Sequence, residues 1–108
     1  MIKATILHNN EGMAVGFIVK SHGNPIVCSA VSMLVINTVN SIQMLTALTE
    51  ADYCFKCNDS GFIAFALRRS SLRNTGAGLL LDALVLGLDS VNAQYPKDIK
   101  FDTRHVSS

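Results

Sequence analysis

Charge is scarce in this sequence. Charged residues make up 16% of its 108 positions, and the net charge is only +1. So even a balance argues against a protein that wraps nucleic acid by neutralising phosphates, and no direct nucleic-acid contact is expected. Long apolar runs are missing as well. The longest uncharged stretch, Ser21 to Thr49, is studded with Asn, Ser, Thr and Gln, so no membrane partner is expected. The opening residues, Met1-Ile2-Lys3-Ala4-Thr5, lack a basic segment followed by an apolar core, so no signal peptide is expected. Cysteines number three, an odd count that excludes a full disulfide framework and points to a reducing compartment. Repeats, low-complexity tracts and linkers are absent. What is abundant is apolar residue, 49% of the chain, which excludes intrinsic disorder and predicts one domain over residues 1–108 with a core of its own.

Residues 2–8 and 13–20 are rich in Ile, Val, Thr and Phe and flank Asn9-Asn10-Glu11-Gly12, a turn sequence, which predicts a β-hairpin. Asn24-Pro25 has the form of an N-cap followed by proline at the first helical position. A helix is predicted over 25–49, with Val27, Val31, Leu34, Val35, Ile42 and Leu45 on one face. Its other face, with Ser29, Met33, Asn37, Asn40 and Gln43, carries no charge, which predicts cover by a loop or a second subunit. Residues 52–57 and 61–68 predict a second hairpin around Asn58-Asp59-Ser60-Gly61. A second helix follows over 76–94, with Leu80, Leu81, Leu84, Leu88 and Val91 in a stripe, and Tyr95-Pro96 stops it. Residues 98–102 predict a short last strand. The order β-β-α-β-β-α predicts an α+β domain, two helices packed on a mostly antiparallel sheet.

Cys28 is the leading candidate for chemistry. It lies four positions after the N-cap, where the helix N-terminus favours a thiolate. His22 is six residues upstream, in the loop that leads into the same helix. Thiolate plus imidazole is the minimum for nucleophilic acyl chemistry, and backbone N–H groups at the helix end are candidate oxyanion donors. The alternative is a structural cysteine and a loop histidine without a role. Ser32, one turn after Cys28, is a candidate support for the thiolate or a serine tied back to its own backbone. No carboxylate lies between Ser21 and Thr49, so one that orients His22 comes from elsewhere, with Asp52 and Asp59 as candidates. Cys54 and Cys57 form a CxxC, but on a strand their sulfurs diverge, so no metal and no redox role is expected. Arg68, Arg69 and Arg73 form a small basic cluster, either a solvated strand end or a contact for phosphate or an acidic partner. His8 and His105 are expected at the solvated surface.

Around His22 and Ile26-Val27-Cys28-Ser29-Ala30-Val31-Ser32 the chain resembles the ribosomal-processing cysteine protease family, Prp. That family carries a Gly-His-Ala motif at the end of its second strand. A Gly-x-Asp-Ile-Val-Cys-Ala-Ala-Val-Ser motif then opens its first helix. The chain agrees with the second at Gly23, Ile26, Val27, Cys28, Ala30, Val31 and Ser32, while Ser29 and Pro25 depart from it. Ser21-His22-Gly23 stands where the family has Gly-His-Ala, and the loop between His22 and Cys28 is shorter than the family's. The resemblance extends to Met1-Ile2-Lys3-Ala4, Asn37-Thr38-Val39-Asn40-Ser41-Ile42, Leu88 and Tyr95-Pro96.

The resemblance implies a bacterial, cytoplasmic, homodimeric cysteine endopeptidase without cofactor. It implies removal of a short N-terminal extension from a large-subunit ribosomal protein, with Cys28 as nucleophile and His22 as general base and acid. The short loop implies an impaired form of that activity. The alternative function is a non-catalytic module of the same fold that binds a ribosomal protein or RNA, with Arg68, Arg69 and Arg73 as its basic contacts.

Overall fold

The computed structural model describes residues 1–72 and 74–107. The first hairpin pairs β1 (Ile2–His8) with β2 (Ala14–Lys20) in antiparallel register. Its turn is built by Asn9, whose Oδ1 accepts from the N–H groups of Glu11 and Met13 at 3.0 Å each, and by Gly12 at φ +77°. A second hairpin joins β3 (Tyr53–Cys57) to β4 (Phe62–Leu67). There Asn58 Oδ1 accepts from the Ser60 N–H at 3.0 Å, and Gly61 takes φ +85°.

Between the hairpins runs α1 (Pro25–Leu45), shorter than the predicted 25–49. Thr46 is extended, its hydroxyl donates to the Ile42 carbonyl at 2.6 Å, and Thr49 then caps a separate 3₁₀ turn, Glu50–Asp52. Local threonine chemistry therefore stops a helix whose composition alone permits four more residues. The second helix, α2 (Thr75–Gln94), is capped by Asn74, whose Oδ1 accepts from the Ala77 N–H at 2.8 Å. The last strand, β5 (Ile99–His105), is longer than the predicted 98–102 and pairs with β1 in parallel.

The five strands form one sheet in the order β3-β4-β2-β1-β5, antiparallel except for the β1–β5 pair. Both helices cover the same face of it, giving the α+β architecture. On that face Ile2, Ala4, Ile6, Phe17, Val19, Ile63 and Phe65 are buried. Phe65 stacks on Phe17 with centroids 5.8 Å apart and meets Tyr53 at 5.1 Å. Val27, Val31, Val35, Val39 and Ile42 of α1 and Ala77, Leu81, Leu84 and Leu88 of α2 complete the same core. The predicted stripes are thus largely right, but Leu34, Leu80 and Val91 are only half-buried and Leu45 is 76% exposed, because α1 ends there.

By length and composition α1 and α2 would also suffice to cross a bilayer, yet each places one stripe in this core. Their outer faces expose large apolar side chains among polar ones, with Met33 at 71%, Leu79 at 70% and Leu86 at 69% exposure. The face of the sheet opposite the helices is lined differently. Register places Lys3, Lys20 and Lys100 side by side across β2, β1 and β5, with Phe62 of β4 next to Lys20.

Candidate active site

Chain geometry brings three segments to one end of the sheet. They are the exit of β2, the turn between β3 and β4, and the start of β1. The exit of β2 is the segment Ser21–Asn24, which carries His22 directly into α1. The Ser21 N–H donates to the Gly61 carbonyl at 2.9 Å, so the β3–β4 turn pins the first residue of this loop. Gly61 suits that contact because its positive φ favours glycine and because a Cβ there would meet the Ser21 carbonyl oxygen at 2.6 Å. The Ser21 hydroxyl is buried in this contact and bonds to no described residue. Gly23 reverses the chain at φ +146°, close against Met1. His22 lies exposed between Ser21, which the Gly61 carbonyl holds, and Gly23.

Cys28 occupies the first turn of α1, half-buried and packed against the core, one residue after the fully buried Val27. The helix end that precedes it is closed by one side chain. Asn24 Oδ1 accepts from the N–H groups of Ile26 at 2.9 Å and Val27 at 3.4 Å, the Asn24 carbonyl accepts from the Cys28 N–H at 2.9 Å, and Pro25 has no N–H to offer. The backbone groups expected as oxyanion donors are therefore already taken. What this helix end leaves over is the Asn24 side-chain amide, exposed and donating to no described residue. The N-cap was visible in the sequence, but its consequence for the oxyanion donors depends on hydrogen-bond partners that only the structure gives. Ser32 is half-buried one turn further along α1.

Of the two carboxylates considered as partners for His22, Asp52 is at the wrong end. Its carbonyl accepts from the Arg68 N–H, and its carboxylate takes the Thr49 N–H at 2.7 Å and the Ser71 hydroxyl at 3.1 Å. The whole of β4, about 17 Å of extended chain, separates it from the Gly61–Ser21 contact. Asp59 belongs to the β3–β4 turn and shares the end that carries His22.

The remaining candidates are dispersed. Register puts Cys54 opposite Ala66 and Cys57 opposite Ile63, on opposite faces of β3, and all three cysteines are free. Arg68 and Arg69 line different clefts, and Arg73 lies outside the described residues. His8 is half-buried and faces the exposed His105 across the β1–β5 pair. The two largest clefts described, about 760 and 550 Å³, share Asn9, Arg69 and Leu72 at the far end of the sheet. Neither is lined by a cysteine or a histidine. Cys54 lines a smaller cleft with Glu50 and Arg68, which leaves Cys28 as the cysteine at the His22 end of the sheet.

Residues 1–100 match the family model described as Cysteine protease Prp. The chain belongs to the Prp cysteine protease family. The Prp fold is seen in the same arrangement in solved structures. One is an essential ribosomal processing protease, Prp, from S. aureus, in complex with a covalently linked product peptide. It is 25% identical, with a TM-score of 0.84 over 96% of this chain and 100% of that one. The S. aureus Prp in complex with a substrate peptide gives 23% identity, the same TM-score and the same coverage. A protein from Streptococcus mutans gives 24% identity and a TM-score of 0.78 over 98% of this chain and 99% of that one. No curated protein matches the chain. Membership in Prp makes this a cysteine protease fold, and the ββαββα order with helices on one sheet face is that fold.

Proposed function

We propose that this protein is a cysteine endopeptidase that trims the N-terminal extension of a large-subunit ribosomal protein, with Cys28 as nucleophile and His22 as general base and acid. The observation that carries the reading is the position of Cys28: alone among the three cysteines it stands in the first turn of a helix, directly after the histidine-bearing loop, in a chain matched to Prp over residues 1–100. Cys54 and Cys57 lie on strand β3 and not in the first turn of a helix.

The chemistry is acyl transfer. His22 accepts the Cys28 thiol proton, Sγ attacks the scissile carbonyl carbon, and the C–N bond breaks as the imidazolium returns the proton to the leaving amine. A water molecule, deprotonated by His22, then splits the thioester and frees Cys28. Because Asn24 already occupies the helix-end N–H groups, its exposed side-chain amide is the donor that this helix end leaves for the tetrahedral oxyanion. A covalent step fits a family in which an S. aureus member is found with a covalently linked product peptide. The ribosomal substrate rests on the description of that relative as a ribosomal processing protease. Three free cysteines fit a reducing, cytoplasmic setting. A homodimer would cover Met33, Leu79 and Leu86 on the outer face of the helices, where a groove of about 520 Å³ runs between α1 and α2.

The test is incubation with the ribosomal protein carrying its extension, followed by mass measurement of the products. Cleavage is expected with the parent and with Cys54→Ser, and none with Cys28→Ser. Turnover by Cys28→Ser near that of the parent would refute the assignment.

A further inference from the structure

We infer that the uncovered face of the β-sheet binds single-stranded RNA through its phosphates, with Phe62 as a stacking ring for a base. Whole-chain charge argues against any such contact, but the charge is segregated. Strand register puts Lys3, Lys20, Lys56, Lys100 and Arg104 on the face that the helices leave free. All five are exposed. Among the described residues they are five of the chain's nine cationic side chains, against one of its eight carboxylates, Asp102. That carboxylate already accepts from the Thr5 hydroxyl at 2.8 Å. The rest of the surface is correspondingly acidic.

The spacing suits a phosphate chain. Lys20, Lys3 and Lys100 stand on adjacent strands, so the row spans about 10 Å, and Arg104 lies about 13 Å further along β5. Phe62, half-buried, closes the row next to Lys20. Lys3, Lys20, Lys100, Arg104 and Phe62 line one shallow depression of about 300 Å³. Positive side chains along a backbone track plus an aromatic platform are the two parts of sequence-tolerant single-strand binding.

Three alternatives fit less well. A second copy docking here would set like charge against like charge. An acidic peptide is matched best by arginine forks, whereas four of these five cations are lysines, which act as point charges toward phosphate. The Arg68 and Arg69 pair is split between different clefts at the other end of the sheet.

The experiment is fluorescence anisotropy of the intact protein with a labelled single-stranded RNA of a dozen nucleotides. Binding is expected at 50 mM salt and should weaken about 100-fold at 200 mM, the loss for about five single-strand phosphate contacts. Lys3→Gln with Lys100→Gln should weaken binding at 50 mM salt by more than about tenfold and flatten the salt dependence. Phe62→Leu should cost about tenfold while keeping the salt dependence. Arg69→Gln should change nothing. Three results would each overturn the inference: no binding at 50 mM salt, loss through Arg69→Gln equal to that through the lysine pair, or displacement of the RNA by polyglutamate at equal charge concentration. The inference does not depend on Cys28. A protein that cleaves its substrate but ignores RNA refutes the RNA surface and leaves the protease reading intact.

Discussion

Two glycines with nearly the same backbone torsion separate strain from contact. Gly12 and Gly61 sit at φ +77° and +85°, each in the turn of a hairpin. A Cβ at position 12 meets nothing within 4 Å, whereas one at position 61 meets the Ser21 carbonyl oxygen at 2.6 Å and the Ser21 Cβ at 3.4 Å. For Gly12→Ala the cost is the left-handed backbone, about 1–2 kcal/mol, less about 0.5–1 kcal/mol returned by the stiffer unfolded chain, so a net of roughly 0.5–1 kcal/mol. For Gly61→Ala the same terms apply. In addition Ser21 must move, which weakens its N–H bond to the Gly61 carbonyl by about 1 kcal/mol and adds overpacking of about 1–2 kcal/mol. The total is about 3 kcal/mol. At about 4 °C per kcal/mol for a chain of this size, the expected falls in Tm are roughly 3 °C for Gly12→Ala and 12 °C for Gly61→Ala. Function should separate them further. Ser21 is the residue before His22, so Gly61→Ala displaces the proposed base and should lower kcat at a temperature where both variants are folded. Gly12→Ala should cleave as the parent does. Calorimetry and a cleavage assay on the two variants decide the matter. Equal Tm shifts, or full activity in Gly61→Ala, would refute the claim that the β3–β4 turn holds the histidine loop.

At position 24, Asn24→Ala should cost about 1 kcal/mol of stability through the lost cap. Asn24→Asp should keep the cap but lower kcat by about 100-fold or more, because it removes the amide donor; equal activity in Asn24→Asp and the parent would exclude the side chain from the oxyanion site. Asp52 is held below the ordinary carboxylate value chiefly by the Thr49 N–H, with the Ser71 and Thr49 hydroxyls adding to it against the opposing effect of burial. A depressed folded-state value means stability present above the unfolded value and lost as pH falls through the folded one. Denaturation at pH 3 and pH 7 should therefore show a smaller acid-induced loss in Asp52→Asn than in the parent. For association, sedimentation should give twice the 11.6 kDa chain mass, and Met33→Asp with Leu86→Asp should return the monomer. Insertion of a short glycine-bearing segment after Gly23 should raise turnover, since lengthening a loop costs little closure entropy and frees His22. Unchanged cleavage after insertion would show that loop length does not limit the reaction.

Much of this fold was legible because its signals are local. Asn9 to Gly12, Asn58 to Gly61 and Asn24-Pro25 each act through hydrogen bonds to residues two to four positions away, so their turns and cap can be read from the residues themselves. The divergence of Cys54 and Cys57 follows from strand periodicity alone. Other features depend on partners distant in sequence. The parallel pairing of β5 with β1 leaves no mark in either strand, and neither does its full length. Asp52 and Asp59 look alike in the sequence and are told apart only by the register of β4. The cationic sheet face was hidden for the same reason. Lys3, Lys20, Lys56 and Lys100 are scattered over nearly the whole chain, and a net charge of +1 averages them away. At the candidate site the cysteine, the histidine and the cap were visible, while the occupancy of the cap's donors and the pinning of Ser21 by Gly61 were not.

The pairing of β5 with β1 also sets a schedule for folding. Thr5 and Asp102, joined by a hydrogen bond, are 97 positions apart. Until β5 arrives, β1 is an edge strand, with the ladder groups of Ile2 to His8 on that side unpaired. Bare edges of this kind recruit other chains, and contacts this distant form slowly. A chain growing from its N-terminus would therefore hold four strands and both helices while one flank of the sheet stays open to misassembly. Truncation before Ile99 should leave the Cys28 helix end intact in sequence yet yield a protein prone to aggregate. Variants that weaken β5 would then first show themselves as lost soluble yield, before any change in the turnover of the molecules that do fold.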